Sequence, residues 1–240
     1  MKPTQYALRI GRTAPKYCKD LCHEERYVVT QLTTLDPDTI TTMLATVNPR
    51  YVPMATKLNA FTPEECARII DIGQKLDRTQ GAVAQLRQGT VPGDQEIKTD
   101  LRDAEIATFA LSEETAWIFK RLQLYINAAN DQYWRFDIDH WEPGQFLMYG
   151  EGGHYAWHSD LGTFGVESHR KISISLQLSP PTDYSGGRLE LMCGHEAVAA
   201  SNQIGSLVMF PSFMTHRIKP LNSGSRRSLV MWILGDFGLK

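Results

Sequence analysis

The chain has 240 residues, 42% of them hydrophobic, and a formal net charge of −2. That length predicts one domain with a full core. The charge balance argues against a nucleic-acid polyanion as partner, and no apolar run approaches a membrane span.

Residues 1–20 lack the apolar stretch of a secretory signal, so a cytoplasmic protein with reduced thiols is expected. Residues 1–57 read as an N-terminal extension with no assigned role. It opens on a basic arm carrying Lys2, Arg9, Arg12, Lys16 and Lys19 without an acid. Cys18, Cys22 and His23 lack the second ligand pair of a zinc finger. A short helix is expected from Asp36-Pro37 to Val47. Thr62, Pro63 and Glu65 predict a capped helix start, with the helix running to about Leu76. Residues 79–99, punctuated by Gly81, Gly89, Pro92 and Gly93, read as a mobile loop able to act as a lid. Ser112 opens a second helix to about Ala129, with Trp117, Phe119, Leu122 and Ile126 on its buried face.

From Tyr133 onward the pattern turns to short strands at 134–141, 145–149, 154–158, 171–178, 187–192, 205–210 and 228–235. Lys171 to Leu178 alternates apolar with polar, as a half-buried strand does. Its polar face holds Ser173, Ser175 and Gln177, residues able to line a cavity. Helices followed by many antiparallel strands predict a mainly β fold with flanking helices (α+β). The expected core, over 58–240, is a double-stranded β-helix, or jelly roll.

His158, Asp160, His216 and Arg226 carry the chemistry. His158 and Asp160 lie at i and i+2, on one face of an extended chain. His216 closes a strand-like run from Gly205 to Arg217. Two imidazoles and one carboxylate form the facial triad of non-heme Fe(II) oxygenases, which leaves coordination positions open. Arg226 and Ser228, again i and i+2, are able to grip one carboxylate together.

These residues also carry a resemblance. Tyr149, Gly152, Tyr155, His158 and Asp160 fit the pattern Y-x-x-G-x-x-Y-x-x-H-x-D of the 2-oxoglutarate/Fe(II) oxygenases of the prolyl 4-hydroxylase type, including the bacterial PKHD-type hydroxylases. Gly186-Gly187, His216, Pro220, Gly224, Arg226 and Trp232 follow in the family's order. The resemblance covers roughly residues 58–240. Animal and plant prolyl hydroxylases of this type use lysine where Arg226 stands, so the arginine points to the bacterial branch or a relative.

The resemblance implies an Fe(II)- and 2-oxoglutarate-dependent dioxygenase that hydroxylates an amino-acid side chain, peptidyl (prolyl-like) or free. It implies His158, Asp160 and His216 as iron ligands, and Arg226 with Ser228 on the cosubstrate's far carboxylate. Tyr149 or Tyr155 is a candidate phenol on the cosubstrate. Ascorbate is an implied auxiliary reductant, and the partners are dioxygen and an amino-acid, peptide or protein substrate. His154, Trp157, Asp139, Trp141 and Arg188 are candidates for the open side of the cavity. The alternatives are a non-catalytic cupin-like metal- or sugar-binding jelly roll and a small-molecule or natural-product hydroxylase. A filled carboxylate position at Asp160 also predicts hydroxylation rather than halogenation.

Overall fold

The computed structural model describes residues 50–236 apart from 82, 85–94 and 97. By its contacts the chain divides into Met1–Val47 and Asn48–Lys240, and every described residue lies in the second unit. The basic arm, the Cys18/Cys22/His23 cluster and the helix expected at 36–47 fall outside the described residues.

Two α-helices lie in the first half of the described part, with strands before and between them. α1, Pro63–Gln74, starts as its sequence dictates: the Thr62 hydroxyl accepts from the Glu65 amide, and the Glu65 carboxylate accepts from the Thr62 amide. α2 runs Ala116–Ala129, and one wider turn, Asn130–Trp134, continues it. Its end overturns the strand expected from 134. Arg135 takes a left-handed conformation (φ 59°), and its amide donates to the Asn130 carbonyl. Only His140–Trp141 of that stretch is a strand.

The strands form two larger antiparallel sheets and two separate two-stranded pairs, β3 with β4 and β11 with β16. In chain order they are β1 Ala55–Lys57, β2 Arg78–Gln80, β3 Val83–Ala84, β4 Gln95–Glu96, β5 Arg102–Asp103, β6 Glu105–Phe109, β7 His140–Trp141, β8 Gly144–Tyr149 and β9 His154–His158. β10 Arg170–Gln177, β11 Tyr184–Gly186, β12 Leu189–Cys193, β13 Glu196–Ala199, β14 Leu207–Pro211, β15 His216–Ile218, β16 Leu221–Gly224 and β17 Arg226–Leu234 follow. The major sheet runs β1-β14-β10-β17-β8-β6-β2, with β7 also on β17; the minor sheet runs β13-β12-β15-β9-β5.

Several expectations need correction. β1 pairs with β14, so the sheet begins inside the stretch assigned to the extension. β2 pairs with β6, so the expected loop 79–99 begins as a strand; its residues 85–94 lie outside the described ones. The run Gly205–Arg217 is two strands in different sheets, because the chain turns at 212–215 and crosses over. His216 therefore begins a strand.

Alternation along the major sheet builds two cores. Phe146, Ile172, Ile174, Leu176, Leu229 and Met231 face the helices and pack on Ile69, Ile118, Leu122 and Ile126. Leu147, Tyr149, Val208 and Phe210 face the other way and meet Leu189, Leu191 and Ile218 of the minor sheet. The inward face is where a site between the sheets has to form.

Candidate active site

β9 and β15 pair with His158 opposite His216. The chain leaving β9 brings Asp160 back beside them, because the Asp160 and Leu161 amides both donate to the Ser212 carbonyl. The ligating atoms of His158, Asp160 and His216 lie within 4.8 Å of one another. Asp160 Oδ1 is 3.6 Å from His158 Nε2, and Oδ2 is 3.5 Å from His216 Nε2.

The tautomers follow from the backbone. His158 Nδ1 lies 2.8 Å from the Ala156 carbonyl, and His216 Nδ1 lies 2.9 Å from the Met214 carbonyl. A carbonyl accepts only, so both Nδ1 atoms carry the proton. Each ring then turns its Nε2 toward the carboxylate, His158 to Oδ1 and His216 to Oδ2. Burial lowers the His216 pKa to about 4, with Asp160 opposing and His158 adding, so this imidazole is neutral at pH 7. Burial alone raises the Asp160 carboxyl, but His216, His158 and Ser173 together hold it well below the usual carboxylate range. Asp160 Oδ2 is buried without a hydrogen-bond partner. Three electron-pair donors converging in a buried space repel one another unless a cation lies between them. The donor set therefore fits a divalent metal.

A cavity of about 460 Å³ opens between the sheets, lined by Tyr149, Tyr155, His158, Asp160, His216 and Ser228 among others. Arg226 is only 3% exposed. It is not part of the lining but sits against it. Its Nη1 donates to Ser228 Oγ over 3.4 Å, and its Cζ lies 5.7 Å from the Tyr149 ring centroid. No carboxylate pairs with Arg226 among the described residues. A buried unmatched guanidinium calls for an anion. Gly187 makes room for it: a Cβ there falls 3.3 Å from Arg226 Cδ and 2.3 Å from Leu221.

The two tyrosines differ in setting. Tyr149 is fully buried, and burial raises its phenol pKa despite Arg102 and Arg226 nearby. Tyr155 stacks on His158 with centroids 3.5 Å apart, and burial pushes its phenol up to about 12. Both phenols keep their protons at pH 7. Of the open-side candidates only Trp157 lines the cavity. His154 bonds two backbone carbonyls, Asp139 pairs with His140, and Trp141 donates to Gln123.

Sequence reasoning overlooked four residues of this region. Arg102 donates to Gln145 Oε1 over 2.9 Å and covers Tyr155 at 4.6 Å. Arg170 and Glu142 pair beside Asp160. No local spacing reveals such contacts between distant strands. Arg170 does stand at the head of the alternating strand, a signal that was available.

The fold and donor set are those of a jelly roll with a 2-His-1-carboxylate group. Residues 144–234 match the model of the 2OG-Fe(II) oxygenase superfamily. Over this part the chain resembles the 2-oxoglutarate/Fe(II) oxygenases of the prolyl 4-hydroxylase type. It is 35% identical over 95 residues to a PKHD-type hydroxylase of Teredinibacter turnerae, covering 38% of this chain and 42% of that protein. It is 38% identical over 87 residues to one of Hyphomonas neptunium, covering 35% and 39%. The match thus spans about two fifths of these relatives' length. A Trichoplax adhaerens prolyl hydroxylase in complex with a hypoxia-inducible-factor peptide superposes with TM-score 0.61, 18% identity, and 76% and 84% coverage. A Pseudomonas putida prolyl-4-hydroxylase gives 0.57, 17%, and 77% and 93%. These two show a shared fold.

Proposed function

We propose that this chain is an Fe(II)- and 2-oxoglutarate-dependent dioxygenase that hydroxylates an amino-acid side chain, peptidyl or free. One observation carries the reading. His158 and His216 turn their Nε2 atoms onto the buried Asp160 carboxylate, whose Oδ2 has no hydrogen-bond partner, and a buried arginine with no carboxylate partner among the described residues stands against the same cavity.

In this reading His158, Asp160 and His216 hold the iron, and the Nδ1–H bonds to Ala156 and Met214 fix the rings. Arg226 with Ser228 holds the far carboxylate of 2-oxoglutarate. Tyr149 and Tyr155 stay protonated and offer phenol O–H donors to the cosubstrate. Bound iron and 2-oxoglutarate supply dioxygen activation: one oxygen atom enters succinate, released with carbon dioxide, and the other enters the substrate. Ascorbate belongs to the reading as the reductant that keeps iron ferrous. A peptide or protein substrate is supported by the prolyl hydroxylases of like fold. The catalytic unit is assigned to residues 58–240 with β1, and residues 1–57 are an extension. No helix among the described residues is long and apolar enough to cross a membrane. A cytoplasmic location is part of the proposal. A cupin-like binding module has no use for a buried Arg226, which counts against that alternative.

The test is conversion of 2-oxoglutarate to succinate with ferrous iron, run against amino acids and peptides with mass analysis. The expected product gains one oxygen atom drawn from dioxygen, with no halogenated product in chloride or bromide. His158→Ala and His216→Ala are expected to lose turnover and metal while keeping the fold. Full activity in either variant removes the triad assignment.

A further inference from the structure

Arg170 stands where the regular register of β10 breaks. Arg170 pairs with Leu234 but Ile172 with Ile233, so one extra residue is accommodated between them. A bulge of this kind re-aims a side chain. Here it brings Arg170 onto the cavity side, where its guanidinium lies 4.0 Å from the Trp232 ring centroid.

Each nitrogen of that guanidinium is engaged. Nε donates to Glu142 Oε2 over 2.7 Å and Nη2 to Glu142 Oε1 over 2.6 Å, a bidentate fork. Nη1 donates to the Asp160 backbone carbonyl over 3.2 Å. Glu167 adds a carboxylate at 3.8 Å. The group is 9% exposed, so an unpaired charge here would be costly. Glu142 is itself tied down, since its amide donates to the Trp232 carbonyl over 3.0 Å.

We infer that Glu142 and Arg170 form a brace that positions Asp160 for metal binding. The inference rests on the metal reading of the triad. The residue at 160 leaves β9 in a loop, and its carboxylate has no strand register of its own to aim it. The Ser212 carbonyl fixes its amide, and Arg170 fixes its carbonyl. With both ends of the residue held, its Cα–Cβ bond is fixed beside the two histidines, and the carboxylate lies within reach of their Nε2 atoms. Lysine at 170 lacks the fork and cannot hold the Glu142 carboxylate and the Asp160 carbonyl in these directions at once. Arg170 and Glu142 are positioning residues that act through Asp160.

The experiment uses the whole 240-residue chain, stripped of metal and titrated with Co(II) or Mn(II) under nitrogen. Dissociation constants, the Co(II) visible spectrum and the unfolding midpoint are read together. Arg170→Lys and Glu142→Gln are each expected to weaken metal binding about tenfold and to change the Co(II) band shape. The double variant is expected to lose little beyond either single one, because the two act as a unit. Arg121→Lys, which disturbs the Arg121–Glu65 pair on the helices, is expected to lower the midpoint and leave metal affinity unchanged. If Glu142→Gln and Arg170→Lys lower the midpoint but keep the metal constant within about twofold, the pair is merely structural and the inference is overturned. Should Arg170→Lys fail to fold, Glu142→Gln decides alone. Wild-type protein that binds neither metal sinks the triad reading itself, a different and separately visible failure.

Discussion

Arg226 illustrates how much one buried charge decides. It has a hydroxyl beside it and an aromatic ring under it, but no carboxylate among the described residues. Replacing it with alanine removes the partner proposed for the cosubstrate's far carboxylate, a loss of roughly 2–5 kcal/mol. The Michaelis constant for 2-oxoglutarate is expected to rise steeply, with partial rescue by lysine. A normal constant in Arg226→Ala would move the role to another cation of the site. His216 gives a second prediction, for metal-free protein. Its folded pKa of about 4 lies below the ordinary 6.5. Between those values the unfolded chain binds a proton that the folded chain refuses, so stability falls as pH drops from 6.5 toward 4. The group contributes about 3 kcal/mol to that fall. Asp160, held low, adds its own loss only below its ordinary 3.8. Urea midpoints across this range should show the slope, and His216→Gln should flatten it. An equal slope in the variant would assign the effect elsewhere.

At the level of elements, α1 approaches β8 closely because Gly73 has no side chain. A Cβ at that position falls 2.4 Å from the Phe146 ring. Two effects compete in Gly73→Ala. Helix propensity favours alanine by up to ~1 kcal/mol, whereas forcing the ring aside costs about 1–3 kcal/mol. Phe146 is fully buried between the helices and the sheet, so the second effect is expected to win. Urea denaturation is expected to show a less stable variant; a more stable one would mean that the ring shifts freely. The elements themselves were unevenly readable. Thr62, Pro63 and Glu65 announced α1 because capping is a local matter of three side chains and their own amides. The strand β10 announced itself by alternation, and β8, β9 and β17 as short runs rich in apolar and aromatic residues. The short strands β5, β11 and β16 carry too few residues to show a period, and they exist because partners align them. The expected end of α2 near Ala129 matches, but the strand expected from 134 fails: Tyr133 and Trp134 look like strand residues, while the carbonyl of Asn130 captures Arg135.

For the whole molecule, a metal at the triad would join the two sheets. His158 and His216 belong to the minor sheet, while Asp160 is tethered through Ser212 to the end of β14, with Ser173 of β10 beside it. Binding to the folded state alone is therefore expected to stabilise the full chain. Mn(II) at a hundred times its dissociation constant adds about 2.7 kcal/mol. Thermal unfolding should show the gain, a chelator should reverse it, and His158→Ala should lack it. Equal stabilisation of that variant would place the ion elsewhere.

The sequence by itself offered the candidate donors and their order: His158 with Asp160 two on, His216 far along, Arg226 and Ser228 two apart. These are properties of residue type and spacing, and they need no partner strand to be read. It also determined the inward row Ser173, Ser175 and Gln177, all of which are buried, because alternation allots faces before any fold exists. That Asp160 lies in a loop beyond β9 and is placed by its bond to Ser212, and not by strand period, the fold alone decided. Only the tertiary structure decided that His216 opens a strand after a crossover, since the turn at 212–215 matters only once β14 and β15 join different sheets. Only it decided that Arg226 is buried without a carboxylate partner among the described residues, that Arg102 covers Tyr155, and that Arg170 grips Glu142 and the Asp160 carbonyl. Such contacts join residues tens of positions apart. They are fixed by which strands pair and where a bulge turns a side chain, information that the spacing of residues along one strand does not contain.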